Sequence, residues 1–253
     1  MNKPLGILSK MRISTLFAAA LSMFTISCAI TSEPSRYTAN EPYRFLQYVP
    51  KNHATDSTKH FPVLIFLHGS GEIGTDLEVV KKHGPPMLIA QGHDFPFIVI
   101  SPQLDERGGW RISRLERTLL AATNGLRIDP SRIYLTGLSL GGYGTWSWAA
   151  ARPKLFAAIA PVAGSGSVAT ACAIKHIPIW AFHGARDDVV SARGSSDMIG
   201  ALERCGGHPR FTLYPNEGHW SWVPAYNDNA LYDWFLGQSN AEGFAEFEKL
   251  KRN

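Results

Sequence analysis

The chain has 253 residues, 45% hydrophobic and 18% charged, which is long enough to bury one large core. An aromatic content of 11% excludes an intrinsically disordered protein, and ordinary totals of 23 Gly and 16 Pro exclude collagen-like and low-complexity architectures. The net charge of +4 falls to +1 without the first 28 residues, which hold Lys3, Lys10 and Arg12 and no acidic residue, so no nucleic-acid partner is expected.

The N-terminal segment has the pattern of a secretory signal. Its basic residues are followed by an apolar stretch at 13–26, about 14 residues long and too short for a membrane-spanning helix. Two cleavage patterns compete, a small-x-small site ending at Ala29 and a bacterial lipoprotein box in which Cys28 would be lipidated. A buried N-terminal helix is the alternative to both. We therefore expect a signal peptide at 1–28, a linker at 29–42, and an exported protein that meets a membrane only through a lipid on Cys28.

From Tyr43 onward, strand-like and helix-like patterns alternate along the chain. Strands are predicted at 43–49, 63–67, 97–101, 133–136, 156–162, 177–182 and 210–214, and helices at 112–122, 143–151, 195–204 and 230–236. Such alternation predicts one α/β domain over 43–238, a mostly parallel central sheet with helices on both faces. About 14 residues separate Val162 from Ile177, too few for a cap domain. Residues 239–253 are expected to form a charged tail, either a surface helix or disordered.

The segment Gly137–Gly142 follows a predicted strand directly and has the pattern Gly-x-Ser-x-Gly. A strand-to-helix turn of this type strains the backbone of its central residue, and small neighbours prevent clashes. It would lift the hydroxyl of Ser139 above the sheet and aim a helix N-terminus at the reacting atoms. Ser139 is therefore the predicted nucleophile, and an ordinary glycine-rich connection is the alternative.

A serine nucleophile requires a base, and the base requires a carboxylate that orients it. Asp187 follows the strand predicted at 177–182, and His219 follows the strand predicted at 210–214. Because parallel strands end at the same edge of a sheet, we expect both side chains to lie near Ser139. Asp188 is the alternative to Asp187, and His183 is expected to shape the turn that carries the acid.

A second glycine-rich turn, His68–Gly71, follows the strand predicted at 63–67. Acyl transfer requires N–H donors aimed at the developing oxyanion. The backbone N–H groups of Ser70 and Leu140 are the predicted donors, and His68 is expected to brace the loop. An ordinary turn is the alternative.

These motifs together resemble the α/β-hydrolase superfamily over 43–236, including its chain order of Ser, Asp and His. Four segments carry a closer resemblance to exported esterases often labelled predicted peptidases, relatives of dienelactone hydrolases and phospholipase/carboxylesterases: His68–Glu72, Lys82–Pro86, Asp129–Gly137 and Trp180–Asp188. In this family's His-Gly-x-x-Asp pattern the acid stands four residues after the His, which implies Asp187. Two positions depart from the family, since Ser191 replaces a common Pro and Trp220 follows His219 where Asp is frequent.

The resemblance implies an α/β-hydrolase fold and a serine carboxylesterase without metal or cofactor. Its substrate would be a small-molecule or polymer-linked ester, such as a short acyl or feruloyl group on a polysaccharide. Without a cap the active site would be open, and Glu72, Trp110, Trp220 and Trp222 are expected around the substrate cleft. Core packing is the alternative for the tryptophans. A serine peptidase is the alternative function, and a non-catalytic binding protein on the same fold is a third.

Apart from Cys28, the chain contains only Cys172 and Cys205. Two cysteines in an exported protein predict one disulfide, and two buried thiols are the alternative. The hydrolase fold would bring both to the face opposite the active site. In the chain-entropy model, a bridge over a loop of this length would stabilise the fold by roughly 3–4 kcal/mol.

Overall fold

The computed structural model describes residues 41–252, so the predicted signal peptide, Cys28 and the linker up to residue 40 lie outside the described residues. Seven strands form one sheet: β1 Phe45–Tyr48, β2 Phe61–Leu67, β3 Ile98–Pro102, β4 Ile128–Leu138, β5 Ala158–Val162, β6 Trp180–Gly184 and β7 Arg210–Tyr214. The α-helices are α1 Asn52–Thr55, α2 Gly84–Ala90, α3 Ile112–Thr123, α4 Leu140–Ala151, α5 Arg193–Arg204, α6 Trp222–Asn227, α7 Asn229–Leu236 and α8 Ala241–Arg252. Short 3-10 segments cover Ser70–Glu72, Leu77–Lys82 and Val168–Ile174.

The strand order is β1-β3-β2-β4-β5-β6-β7, with β1 antiparallel to β3 and every other pair parallel. This confirms the predicted mostly parallel sheet. The carboxyl ends of β2, β4, β6 and β7 consequently lie along one edge of the sheet, where the loops that follow them can meet. The connection from β5 to β6 contains the 3-10 segment Val168–Ile174 and no inserted domain.

The central strand β2 shows why the sheet is covered on both faces. All seven of its residues are buried, so it reads as a continuous apolar run. Val63, Ile65 and Leu67 pack into a core layer with apolar residues of α3, α4, α5 and α8. Leu64 and Phe66 point to the other face and pack with residues of α6 and α7. The predicted helices on both faces are therefore confirmed.

Element boundaries differ from the prediction where polar residues or proline interrupt the apolar pattern. Strand β4 begins at Ile128 and not at Ile133, because it also includes the polar segment Asp129–Arg132. The register between β2 and β4 shifts in this region, between Phe61 and Val63. Strand β6 begins at Trp180 and not at Ile177, because Pro178 has no N–H to donate to a ladder.

The segment predicted as a charged tail, either a surface helix or disordered, is helical and packs on the domain. It forms α8, in which Phe247 and Leu250 are buried in the core. A Cβ atom on Gly243 would lie 2.6 Å from the carbonyl oxygen of Pro130, so this helix packs closely on β4. Its charged residues occupy the opposite, solvent-facing side, which explains why composition alone indicated a tail.

Cys172 and Cys205 form a disulfide with a Cα–Cα distance of 5.2 Å. The bridge ties the 3-10 segment Val168–Ile174 to the C-terminal end of α5. Within residues 41–252, no helix combines the length and apolarity needed to cross a membrane.

Candidate active site

Ser139 occupies the turn between β4 and α4, and its backbone is strained. Its φ is 51° and its ψ is −116°, a conformation that non-glycine residues rarely adopt. The Ser139 N–H donates to the carbonyl of Val162 at 2.9 Å, and its own carbonyl accepts from the N–H of Tyr143 at 3.1 Å. The strained conformation is thereby fixed by β5 on one side and by α4 on the other.

The glycines of this turn are required by close backbone packing. A Cβ atom on Gly141 would lie 1.9 Å from the carbonyl oxygen of Leu67, and one on Gly137 would lie 2.4 Å from the carbonyl oxygen of Gly141. No side chain fits at these distances. The Gly-x-Ser-x-Gly pattern therefore reflects the contact of the turn with β2, which brings α4 over the sheet edge.

Ser139, His219 and Asp187 lie in one hydrogen-bonded chain. Nε2 of His219 is 3.0 Å from Oγ of Ser139, and Nδ1 of His219 is 2.8 Å from Oδ2 of Asp187. A carboxylate only accepts, so Nδ1 carries the proton and Nε2 is free to accept from the serine hydroxyl. The Asp187 side chain is fully buried and that of His219 is 13% exposed. The structure thus brings the three predicted residues into the arrangement of an activated serine.

The carboxylate of Asp187 is held by several donors. Its Oδ1 accepts the backbone N–H groups of Val189 at 3.0 Å and Val190 at 2.8 Å. Burial raises the pKa of this carboxyl, but the hydrogen bonds from His219 and the two N–H groups outweigh burial and leave the pKa below its ordinary value. Asp187 is therefore ionised at neutral pH. Asp188, the alternative acid, is exposed and lies outside this network.

His183 contacts the same carboxylate oxygen as His219. It is completely buried, with Nε2 3.1 Å from Oδ2 of Asp187 and 2.9 Å from the carbonyl oxygen of Val190. Both neighbours only accept, so Nε2 carries a proton. Nδ1 lies 2.8 Å from Oγ of Ser195, whose hydroxyl is also 2.9 Å from the carbonyl of Gly164. His183 therefore links the acid to α5 and to the loop after β5, beyond the turn-shaping role that the sequence indicated.

Two amide substitutions test whether the Nε2–H group of His183 orients Asp187. His183→Asn removes the donor to Asp187, and we expect kcat for ester hydrolysis to fall by about 10- to 100-fold with little change in KM, because the acid is less well oriented. His183→Gln extends an N–H group toward the position of Nε2, and we expect it to recover most of the loss. Steady-state kinetics on a p-nitrophenyl ester, with melting temperatures as a control for folding, test this. Equal kcat in both variants would argue against the orienting role.

The loop after β2 passes directly beside the nucleophile. A Cβ atom on Gly69 would lie 3.5 Å from Cβ of Ser139, and Ser70 begins the 3-10 turn that follows. Leu140 is the first residue of α4, where the N–H has no partner within the helix. Leu140 thus follows Ser139 directly in sequence, and Ser70 belongs to the loop that approaches Ser139 in space. The catalytic role of both N–H groups remains a prediction.

His68 braces this loop through both ring nitrogens. Nδ1 donates to the carbonyl of Gly69 at 2.6 Å, and Nε2 accepts the N–H of Leu104 at 2.9 Å. Burial lowers the pKa of His68 to about 4, so the ring is neutral and has one donor and one acceptor, as these contacts require.

A cavity of about 190 Å³ opens beside the nucleophile. Trp220 forms part of its rim with 61% of its surface exposed, and its ring stacks on Trp222 at 5.7 Å. His83 was not predicted as a site residue, although it lies within the family-like segment Lys82–Pro86. The lining residues are Gly69, Ser70, Gly71, Glu72, His83, Leu138, Ser139, His219, Trp220 and Trp222.

Trp110 does not line this cavity, contrary to expectation. Its ring packs edge-on against His68 at 4.9 Å and against Tyr43 at 5.4 Å. Gly144 of α4 lies directly against it, since a Cβ atom there would be 2.7 Å from Cδ1 of Trp110. Trp110 is partly buried and packs against the core behind the His68 loop, in line with the packing alternative for this residue.

Among residues 41–252, no three His, Cys, Asp or Glu side chains are grouped so that they could hold a metal ion.

Comparison with known proteins links the chain to esterases and peptidases. The prolyl oligopeptidase family model matches residues 115–181, the segment that contains Ser139. A bifunctional acetylxylan esterase/xylanase of Neocallimastix patriciarum is 28% identical over 57% of this chain and 21% of its own length. Poly(3-hydroxyalkanoate) depolymerase C of Paucimonas lemoignei is 26% identical over 61% of this chain and 40% of its own length. The chain thus spans less than half of these two relatives.

A solved structure described as a thermostable esterase superposes with a TM-score of 0.65 and 33% identity. The superposition covers 78% of this chain and 59% of the esterase.

Proposed function

Because the chain is an α/β-hydrolase of the group that includes esterases and peptidases, we propose that it is a serine carboxylesterase with a Ser-His-Asp triad. The observation that carries the proposal is the hydrogen-bonded chain from Oγ of Ser139 through His219 to Asp187, at 3.0 and 2.8 Å. It lies at the wall of a cavity that can receive an acyl group. The esterases among the relatives support ester bonds as the target.

The reaction proceeds in two steps. Oγ of Ser139 attacks the ester carbonyl carbon while its proton passes to Nε2 of His219, and Asp187 stabilises the imidazolium. The tetrahedral intermediate then collapses, the C–O bond to the alcohol breaks, and His219 returns the proton to the leaving oxygen. Water repeats the sequence on the acyl-enzyme, with His219 again as base, and releases the carboxylic acid.

The negative charge that develops on the carbonyl oxygen requires donors that are fixed before reaction. In this proposal the backbone N–H groups of Ser70 and Leu140 supply them. The bracing of the loop by His68 and the start of α4 at Leu140 support this choice, because both donors belong to rigid backbone. Preorganised donors stabilise the transition state without reorganisation at the moment of reaction.

The form of the cavity favours a short acyl group on a large alcohol. A volume of about 190 Å³ suits a small acyl chain, whereas the exposed ring of Trp220 provides a flat surface beyond the cavity for a larger group. The absence of an inserted domain between β5 and β6 leaves this side accessible. The named relatives act on acetylxylan and on poly(3-hydroxyalkanoate), which supports a polymer-linked ester as substrate.

The rival function is that of a serine peptidase, which uses the same triad. The prolyl oligopeptidase family model matches residues 115–181 of this chain, which contain the nucleophile turn. Hydrolysis of p-nitrophenyl esters from acetate to decanoate, compared with p-nitroanilides of the same acids and of short peptides, decides between them. We expect rates that fall with chain length and esters preferred over anilides. Faster turnover of peptide anilides than of every ester would favour the peptidase.

Export of the protein, with or without a lipid on Cys28, is part of the proposal. It rests on the charge and apolar pattern of residues 1–28. The disulfide between Cys172 and Cys205 supports it, because such bonds persist mainly in oxidising compartments.

A further inference from the structure

Glu72 brings a carboxylate into the wall of the catalytic cavity, although only 5% of the residue is exposed. Its Oε2 accepts the N–H of Gly69 at 3.1 Å and so holds the loop beside the nucleophile. Its Oε1 accepts no hydrogen bond from any residue in the described part of the chain. This oxygen retains accessible surface at the cavity wall, where water or a ligand can supply the donor that it lacks.

His83 lies across from this free oxygen. Its Nε2 is 3.9 Å from Oε1 of Glu72, too far for a direct hydrogen bond. A hydroxyl oxygen at the usual distance of about 2.8 Å from both atoms fits this gap with an angle of about 90° between its two bonds. Such a hydroxyl would donate to the carboxylate and accept from the imidazole, so it satisfies both groups at once.

The protonation of the pair suits a neutral ligand. Burial lowers the pKa of His83, so at neutral pH its ring is uncharged and can place its one proton on Nε2. Burial raises the pKa of Glu72, because the cavity wall solvates a charged carboxylate less well than water does. A hydroxyl group can donate to the carboxylate and accept from Nε2–H, whereas an ammonium group cannot accept and a carboxylate cannot donate.

The pair is close to the reacting atoms. A Cβ atom placed on Gly69 would lie 3.5 Å from Oε2 of Glu72 and 3.5 Å from Cβ of Ser139. These two atoms are therefore at most 7 Å apart. The ring of His83 also stands edge-on to the exposed ring of Trp220 at 5.6 Å. A saturated ring on the face of Trp220 could therefore direct a hydroxyl toward the pair while its ester reaches Ser139.

We propose that Oε1 of Glu72 and Nε2 of His83 form a hydroxyl-binding site, which selects esters whose alcohol carries a second hydroxyl group near the ester bond. Sugars and other polyols are alcohols of this class. The inference rests on the proposed esterase function and specifies the substrate of the same site. Neither residue takes part in bond making or breaking, so the site acts on selectivity between esters.

Two acetates of nearly equal size test the proposal. In 2-hydroxyethyl acetate a hydroxyl group replaces the terminal methyl group of propyl acetate. We expect the wild-type enzyme to show a kcat/KM about 10- to 100-fold higher for the hydroxyl compound, as is typical of a hydrogen bond to a charged or buried group. For each variant, kcat/KM for 2-hydroxyethyl acetate is divided by kcat/KM for propyl acetate. A general loss of activity lowers both values and leaves this ratio unchanged.

Glu72→Gln keeps an oxygen for the N–H of Gly69 but replaces the second oxygen with an amide donor. His83→Phe keeps a ring against the tryptophans and removes Nε2. We expect both variants to reduce the preference for 2-hydroxyethyl acetate to about twofold or less. Glu78→Gln is the matched control, because this carboxylate is exposed on the neighbouring 3-10 segment and pairs with Lys81. Its ratio is expected to equal that of the wild type.

The possible outcomes distinguish failure of the hydroxyl-binding site from failure of the proposed esterase function. Equal kcat/KM for the two acetates in the wild type would overturn the hydroxyl-binding site and leave the esterase in place. A preference that survives both Glu72→Gln and His83→Phe would overturn the assignment to these residues. If the wild type hydrolyses neither acetate nor p-nitrophenyl acetate, the proposed function fails and the hydroxyl-binding site fails with it.

Discussion

Substitution of Ser139 by alanine is expected to lower kcat for ester hydrolysis by about 10⁴- to 10⁶-fold. The hydroxyl is the group placed 3.0 Å from Nε2 of His219, and no other hydroxyl contacts this imidazole within the described residues. Without it, no acyl-enzyme can form, and only binding and the oxyanion donors remain to assist direct attack by water. Rates on p-nitrophenyl acetate measure the loss of kcat. Covalent labelling with a fluorophosphonate measures the loss of the nucleophilic hydroxyl.

The control is Ser196→Ala, which removes an exposed hydroxyl on α5. We expect it to retain wild-type kinetics and labelling. Thermal unfolding of the Ser139→Ala protein checks that the strained turn still forms. Near-wild-type hydrolysis by a folded Ser139→Ala protein would remove Ser139 from the mechanism and the triad with it.

Asp187→Asn is expected to lower kcat by about 10⁴-fold, whereas Asp188→Asn leaves it within about twofold. The amide cannot replace a carboxylate that accepts Nδ1–H of His219 at 2.8 Å, so the imidazole loses the tautomer that keeps Nε2 free for Ser139. Asp188 is exposed and outside the network, which makes it a control of the same charge on the adjacent residue. Steady-state kinetics of the two variants settle which carboxylate serves. A large loss in Asp188→Asn with an active Asp187→Asn would reverse the assignment.

The same substitution has a consequence for stability. Although burial acts to raise it, the pKa of Asp187 lies below its ordinary value in the folded protein, because hydrogen bonds outweigh burial. The carboxylate therefore stabilises the fold above the ordinary carboxyl pKa, and this contribution is lost as the pH falls through the lowered pKa. We expect the free energy of unfolding of Asp187→Asn to decline less steeply with acid than that of the wild type. Denaturant titrations between neutral pH and pH of about 3 measure this difference.

The main strands and helices, and the residues of the candidate site, could be predicted from the sequence because each has a local cause. The seven-residue apolar run of β2 has to be buried on both sides, and this requires a parallel sheet covered by helices. The glycines around Ser139 are needed by a tight strand-to-helix turn. Residues that follow parallel strands meet at one edge of the sheet, so the sequence predicts that Asp187 and His219 lie near Ser139.

The tertiary structure alone decided which faces and loops meet. Trp110 and Trp220 have the same chemistry, yet Trp110 packs against His68 beside the core and Trp220 forms part of the rim of the cavity. His83 comes from the start of α2 and meets Glu72 only because two loops converge above the sheet.

Charge and period determine that a segment such as α8 has a polar side, but not that Phe247 finds a partner in the core. Local patterns record what each backbone segment prefers and which of its sides avoids water. Contacts between segments distant in sequence depend on how the whole set of packed faces fits together, and no single segment contains that information.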